Sequence, residues 1–445
     1  MKKIKSCSES DFLKLFFGFV TACFLIAAVC MPDRGQMFSG LWQIISQPSK
    51  ISTNYFAVGG YAATFLNMGL VALICLLLFA VLKAPVTNVS NLAFLLTLGF
   101  CSWGINVLNI WPTILGVVIY CLVKKEKLSA NANAMLFSTG IAPLITELMV
   151  RYPNAEAVGF NVPGVLLALA VGFVIGFFLP AGLAMSPKIH KGFDLYSAAL
   201  PIGMTAFFLQ AVLYQTIGVA LRAAPDAATL QVASRLTVNV FCCVFFGLCV
   251  VFALVLGCRP KDYWRLLTDP ALVTNFSSAY GNAVFLMNVG VYGLFILGYY
   301  NLIGGTFNGV TFGIIFCMLA TCNSGSHPGN VWPIMLGYVV ASAVFGWLSA
   351  LAGGTFAGAV NAQAIMVGLC YANGLSPIAD KYGWQYGFLA AMMHYVLVTS
   401  VPSLHGGYCL YNGGFTAALI CIILVPQLEK LCRTKEERRL LKTSK

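Results

Sequence analysis

Charge is what this chain most lacks: between Asp269 and Asp380 there is no lysine, arginine, aspartate or glutamate. Over 445 residues, charged side chains make up 9% and apolar ones 59%, with a mean hydropathy of +0.86. Soluble domains carry about 25% charged residues, so a soluble protein is excluded and an all-α polytopic membrane protein is predicted. Acidic residues are scarce inside the apolar runs, where only Glu147 and Asp194 qualify. Ion coupling and proton relay commonly use such residues. Their scarcity favours a small neutral polar solute over a metal ion or an organic acid, while sodium coupling through Asn, Ser and backbone oxygens stays compatible. With four histidines and no CxxC or Cys/His cluster of metal spacing, no metal and no cofactor are expected. No motif with catalytic mechanics occurs, so no enzyme is expected.

The sixteen cysteines do not amount to a disulfide framework. Most lie within apolar runs (Cys23, Cys30, Cys75, Cys242, Cys243, Cys249), where a thiol packs as a small hydrophobe. The net charge of +12 comes from short segments between those runs: Lys2, Lys3 and Lys5, Lys124 to Lys127, Lys188 and Lys191, Arg259 and Lys261, and the tail from Lys430. That placement sets orientation and favours anionic lipid headgroups, so the bilayer and a solute are the expected partners and nucleic acid is not. Homo-oligomers are compatible with the sequence. The apolar stretch Phe12–Met31 is about 20 residues long, enough to span a bilayer, and has a repeat partner, so it is read as a span and not a cleaved leader.

What the chain does contain is a second copy of itself. Trp111-Pro112 with Leu115-Gly116 returns as Trp332-Pro333 with Leu336-Gly337, and at the same offset Asn54, Gly60, Asn67, Cys101, Gly104 and Asn109 match Asn275, Gly281, Asn288, Cys322, Gly325 and Asn330. A shared register of Asn, Gly, Trp and Pro is informative where Leu and Val coincidences are not. The division is 1–221 for the first copy, 222–235 for a linker, 236–429 for the second copy and 430–445 for a basic cytosolic tail. Each copy reads as about seven helical elements plus an amphipathic stretch (Trp42–Pro48 or Trp264–Pro270) at the interface. The elements begin with Phe12–Met31 or Leu236–Gly257 and 60–83 or 281–300. There follow 89–102 with 108–124, or 306–322 with 330–348; 131–150 or 355–378; and 161–180 or 384–402. The last follows a His-x-Gly-aromatic-x-Leu-Tyr motif.

The amino-terminal lysines, Lys83, Lys124 to Lys127, Lys188 and Lys191 of the first copy fall on one phase of loops, and Arg259, Lys261 and Lys381 of the second copy on the opposite phase. An odd number of crossings per copy satisfies this, which makes the copies inverted-topology repeats with both termini cytoplasmic in a bacterial inner membrane. The third and fourth elements either span or re-enter; both keep the parity.

Inverted repeats bring discontinuous helices together near the midplane, where irregular backbone lines a cavity or is buried in protein. Three paired breaks are the candidate solute path. The first is Cys101–Asn109 with Cys322–Asn330, including Asn109, His327 and Asn330, each followed by a Trp-Pro that starts a helix. The alternative there is an ordinary polar loop. The second is Asn54 to Gly60 with Asn275 to Gly281, together with Asn67 and Asn288 two turns on, which serve either interhelical hydrogen bonds or the solute. The third is the motif holding His190 and Tyr196, or His405, Tyr411 and Asn412, where a histidine bonded to its own loop is the alternative. His394 has no repeat partner and reads as a packing residue.

The Asn-Tyr-Phe-Ala-Val-Gly-Gly run from Asn54, the Trp111-Pro112 segment and the His405-Gly-Gly-Tyr-Cys-Leu-Tyr-Asn-Gly-Gly-Phe415 run resemble a family of duplicated bacterial integral-membrane proteins known only as a domain of unknown function. That resemblance implies a duplicated membrane fold and no substrate. Leu410-Tyr411-Asn412-Gly413-Gly414 is more loosely similar to a stretch of urea transporters, and the first copy departs from it at Ser197-Ala198-Ala199. Together these readings predict a permease or channel-like facilitator for a small polar solute with its path between the copies. An ion-coupled carrier is the alternative, and an intramembrane enzyme or a scaffold ranks behind it.

Overall fold

A computed structural model describes residues 7–152, 158–219, 221–222, 234–269 and 274–443. Lys2, Lys3, Lys5, Pro270 and most of the linker 222–235 lie outside the described residues. These form helices and no strand. The first copy comprises α1 Glu9–Cys30, α2 Met37–Ser46, α3 Tyr55–Val58, α4 Gly60–Val81, α5 Asn88–Phe100, α6 Trp111–Lys124, α7 Ala132–Ser138, α8 Ala142–Arg151, α9 Val162–His190 and α10 Ala199–Gln210. The second repeats the series as α11 Arg235–Val255, α12 Pro260–Thr268, α13 Phe276–Tyr280, α14 Asn282–Leu302, α15 Gly309–Leu319, α16 Pro328–Leu351, α17 Gln363–Ala372, α18 Ser376–Tyr382, α19 Trp384–Val398 and α20 Asn412–Leu431. A polar tail helix, α21 Lys435–Thr443, follows. The chain is thus a multi-pass helical membrane protein built from two inverted repeats.

Helix length and the order of the elements along the chain bear on what crosses. The 22 residues of α1 and of α4 reach about 33 Å, enough for a hydrocarbon core of about 30 Å. With 13 and 14 residues, α5 and α6 reach only about 20 Å. They form a hairpin that dips in and returns, its tip at Cys101–Ile110. The tip packs on α2 and the start of α3: Asn106 Nδ2 donates to Ile44 O of α2 at 3.4 Å, and Tyr55 N to Ser102 O at 3.2 Å. In the second copy α16 runs 24 residues, long enough to span by length and composition, while α10 and α19 have 12 and 15. With the hairpins counted as re-entrant, each copy crosses five times, with its first span, its second, the broken α7–α8 or α17–α18, and its last two. Five is odd, and the parity argument holds with re-entrant third and fourth elements.

Equivalent helices lie side by side and antiparallel, which a two-fold axis in the membrane plane requires. Between α5 and α15, Asn91 Nδ2 meets Cys322 Sγ at 3.7 Å and Ser102 Oγ donates to Gly309 O at 2.7 Å, one index rising as the other falls. Between α1 and α11, Phe24 meets Phe241 at 4.9 Å and Phe19 meets Phe252 at 5.5 Å between ring centroids. The hairpins cross where side chains vanish. A Cβ at Gly99 would fall 2.5 Å from Gly313 O, and one at Gly313 2.2 Å from Gly99 O, the close backbone approach that small residues give membrane helices. Phenylalanines 24, 65, 241, 312 and 316 pack edge-on and tilted around this crossing.

The copies also exchange segments. Leu195 N, before α10, donates to Gly374 O in the α17–α18 break at 3.0 Å, and Leu410 N, before α20, donates to Gly140 O in the α7–α8 break at 2.9 Å. Tyr196 and Tyr411 then cover those glycines so closely that a Cβ would lie 2.6 Å and 2.2 Å from their rings.

Three boundaries differ from the sequence reading. Helix α16 begins at Pro328, capped by His327, so Trp332-Pro333 lies inside it and does not start it. Helix α9 continues to His190 through Pro180 and Pro187, because neighbouring helices can satisfy the carbonyls a proline frees. Helix α17 begins at Gln363, since the preceding Gly353-Gly354 and Gly358 stretch holds irregular backbone.

Candidate functional site

The hairpin tips are built from the paired asparagines. Asn67 Nδ2 donates to Cys101 O at 2.7 Å and Ile105 O at 2.8 Å, while its Oδ1 accepts from Val107 N at 3.2 Å. Asn288 Nδ2 does the same for Cys322 O at 2.8 Å and Ser326 O at 3.0 Å. The counterpart of Val107 is Pro328, which has no N–H, and the Tyr263 hydroxyl donates to Asn288 Oδ1 instead, at 3.2 Å. Asn109 Nδ2 reaches Gly104 O at 3.0 Å and Thr146 Oγ1 at 2.9 Å; Asn330 Nδ2 reaches Gly325 O and Asp380 Oδ2, both at 2.7 Å. His327 Nδ1 accepts from Gly329 N at 3.1 Å and starts α16, the capping role that Asn106 Oδ1 fills for Leu108 N at 2.9 Å.

At the second break, Gly60 and Gly281 turn the chain at φ +85° and +92°. Asn54 Oδ1 accepts from Phe56 N at 3.1 Å and, across the copies, from Gly309 N at 2.8 Å. Asn275 Nδ2 holds Glu9 Oε1 at 2.9 Å.

The histidine motifs match each other closely. His190 Nδ1 accepts from Asp194 N and His405 Nδ1 from Cys409 N, both at 3.3 Å. Nδ1 is therefore unprotonated and Nε2 carries the proton, toward Ser197 Oγ at 2.8 Å or Asn412 Oδ1 at 2.9 Å. The tyrosines diverge. Tyr196 Oη lies 2.8 Å from Asn373 Oδ1, 2.9 Å from Cys317 O and 3.1 Å from Cys370 O, whereas the buried Tyr411 hydroxyl has no partner among the described residues. His394 bridges the Tyr338 hydroxyl at 2.6 Å and Gly413 O at 2.8 Å as a packing residue.

Open space lies elsewhere. A vestibule of about 540 Å³ enters from the face that carries the start of α1, and both copies line it: Asn88, Asn133, Asp194 and Ser197 from the first, Thr274 and Ser324 from the second. A recess of about 120 Å³ adjoins it, reaching Asp380 and Lys381. The repeat equivalents on the opposite face are Gly309, Val367, Cys409, Asn412, Thr53 and Trp103, and every one is buried. There the copies are strapped together by Ile51 N donating to Gly407 O at 3.0 Å, and Lys50 Nζ stands 4.9 Å from the Tyr408 ring centroid.

None of the candidate path residues of the sequence reading lines the vestibule or its recess. The asparagines and histidines among them brace the hairpin tips and the motif loops, Asn412 on the closed face, and Gly281 borders a separate recess with Glu9 and Ser278. Asn133, Ser324, Trp103 and Asp380 carried one signal: Ser324 against Trp103 and Asp380 against Thr146 are aligned positions where the copies differ.

No curated protein and no solved structure matches the chain. A family described as a protein of unknown function (DUF1576) matches it twice, over residues 33–215 and 260–430. The matched stretches follow the two inverted copies and take in both hairpins and both histidine motifs, and the chain belongs to this DUF1576 family.

Proposed function

We propose that the protein is a permease for a small polar solute, which passes along the interface between the two copies. The observation that supports this is the one-sided vestibule. Both copies line it on one face, and the same positions are packed shut on the other, around Trp103. Two inverted halves can exchange these arrangements at little cost, because each half already holds the geometry the other would adopt, and alternating access follows from that exchange. The bracing of the hairpin tips fits the reading too, since irregular backbone at membrane depth persists where it is buried or borders a water-filled path.

In this reading the vestibule faces the cytoplasm of a bacterial inner membrane. Lys83, Lys124, Lys125, Lys127, Lys188, Lys191, Arg259, Lys261 and Lys381 stand at helix ends on the vestibule face, in keeping with the positive-inside bias. Stopped-flow light scattering on proteoliposomes, with urea, glycerol, amino acids and salts in turn, tests the proposal. Saturable equilibration of one solute is expected. Folded protein that moves none of them, with or without an ion gradient, would overturn it.

A further inference from the structure

The vestibule has a chemical bias that follows from its orphaned atoms. Asp194 is 2% exposed. Its Oδ1 accepts from Tyr196 N at 2.9 Å, but among the described residues its buried Oδ2 has no hydrogen-bond partner, and neither has Asn133 Oδ1 on the same vestibule. A buried acceptor left unpaired is costly, and a buried carboxylate without a counter-charge more so. No basic side chain lies within ion-pair distance of Asp194 among the described residues. Lys191 is bonded to Glu429, and Lys381 lies over the rings of Phe193 and Tyr382. The aligned residue in the second copy is Cys409, so nothing in the repeat scaffold demands a carboxylate here.

We propose that this vestibule binds a small organic cation, with ammonium or guanidinium N–H groups on Asp194 and Asn133. This names the solute class for the permease proposed above and rests on that reading. The volume of about 540 Å³ suits a small molecule and far exceeds a bare ion. Among the described residues no three His, Cys, Asp or Glu side chains gather to hold a metal. Phe137 adds an aromatic wall of the kind organic cations favour. Without the cation, a proton satisfies the site: in the loop between α9 and α10, burial pushes the Asp194 carboxyl up to about 7. The ionisable groups around it are His190 and Tyr196 on its own segment, Cys421 of α20, and Asp380 and Lys381 of α18 in the adjoining recess. Cation and proton then compete, and binding is fully developed above that value and lost as the pH falls through it.

The test is calorimetric titration of the full-length protein in nanodiscs with methylammonium, methylguanidinium, sodium and urea, at pH 8 and pH 6. One of the two organic cations is expected to bind at pH 8 and about tenfold more weakly at pH 6. Asp194→Asn should weaken it by about tenfold to a hundredfold. Asp194→Cys, the residue of the second copy, guards against a folding defect peculiar to the amide. Undiminished binding in both folded variants, equal binding of sodium, or no binding of either organic cation would overturn the proposal. Cation binding without flux would leave the site standing and remove the permease. Flux of another solute without cation binding would do the reverse.

Discussion

Replacing Asn67 by alanine separates bracing from solute contact, because the two predict opposite results. The Asn67 amide makes two donor bonds, at 2.7 and 2.8 Å, and accepts a third at 3.2 Å, all to backbone of the first hairpin tip. Net worth is about 0.5–1.5 kcal/mol per bond in soluble proteins and averages about 0.6 kcal/mol inside membranes. Three bonds give about 2–4 kcal/mol, and the lower end carries more weight, since the unfolded chain in a micelle also finds partners. Asn67→Ala should therefore lower unfolding free energy by that amount in an SDS titration from mixed micelles, and Asn288→Ala should cost nearly as much. Tyr263→Phe removes one bond, at 3.2 Å, and should cost about 0.5–1 kcal/mol. If Asn67→Ala loses less than about 1 kcal/mol and transport nevertheless disappears, the bracing argument is refuted and the amide belongs to the path.

Three further outcomes are expected. Tyr196→Phe deletes a hydroxyl held among three buried acceptors and should cost about 1–3 kcal/mol in the same titration, while Tyr411→Phe removes an orphan and should be neutral or stabilising; equal losses would contradict the asymmetry between the halves. Trp103→Ser puts the residue of the open face on the closed one. Thiol labelling of a cysteine placed at Thr53 should rise from near zero at a cost of about 3–5 kcal/mol in stability, and unchanged labelling would mean that Trp103 does not seal that face. A cysteine placed at Lys435 should react with an impermeant maleimide only in inside-out vesicles, and one at Gly218 only in right-side-out vesicles; the reverse pattern would turn the proposed orientation over.

The duplication was readable because the repeated residues do work that few side chains can do. An amide at Asn67 or Asn288 must offer two donors to two carbonyls of a broken helix and still accept a hydrogen bond. Gly140 and Gly374 must let a tyrosine ring lie on the backbone. Such demands stand out in a sequence whose apolar positions differ between the copies, and they mark the register and the broken helices; the odd number of crossings came from the basic residues. Whether the third and fourth elements span or re-enter was not readable: α5 and α6 are as apolar as true spans, and the equivalent helices differ in length, α6 having 14 residues and α16 24. The exchange of Leu195 and Leu410 between copies also lay beyond the sequence, since backbone bonds at separations of 179 and 270 residues leave no side-chain pattern.

The vestibule left no mark of repetition, because in this fold repetition belongs to the scaffold: asparagines and glycines recur where both hairpins need the same braces, and histidines where both motif loops do. A solute path through two inverted halves meets a different requirement. One end must be open while the other is closed, and identical side chains at both ends would make the two states equal in energy, leaving the cargo alone to choose between them. Differences between aligned positions supply the bias. Ser324 opposes Trp103, Asp194 opposes Cys409 and Asn133 opposes Val367; in each pair the polar member lines the vestibule and the bulkier or apolar member is buried on the closed face. In a duplicated membrane protein, then, the matched residues say how it is built, and the mismatched ones among them say where to look for what it carries.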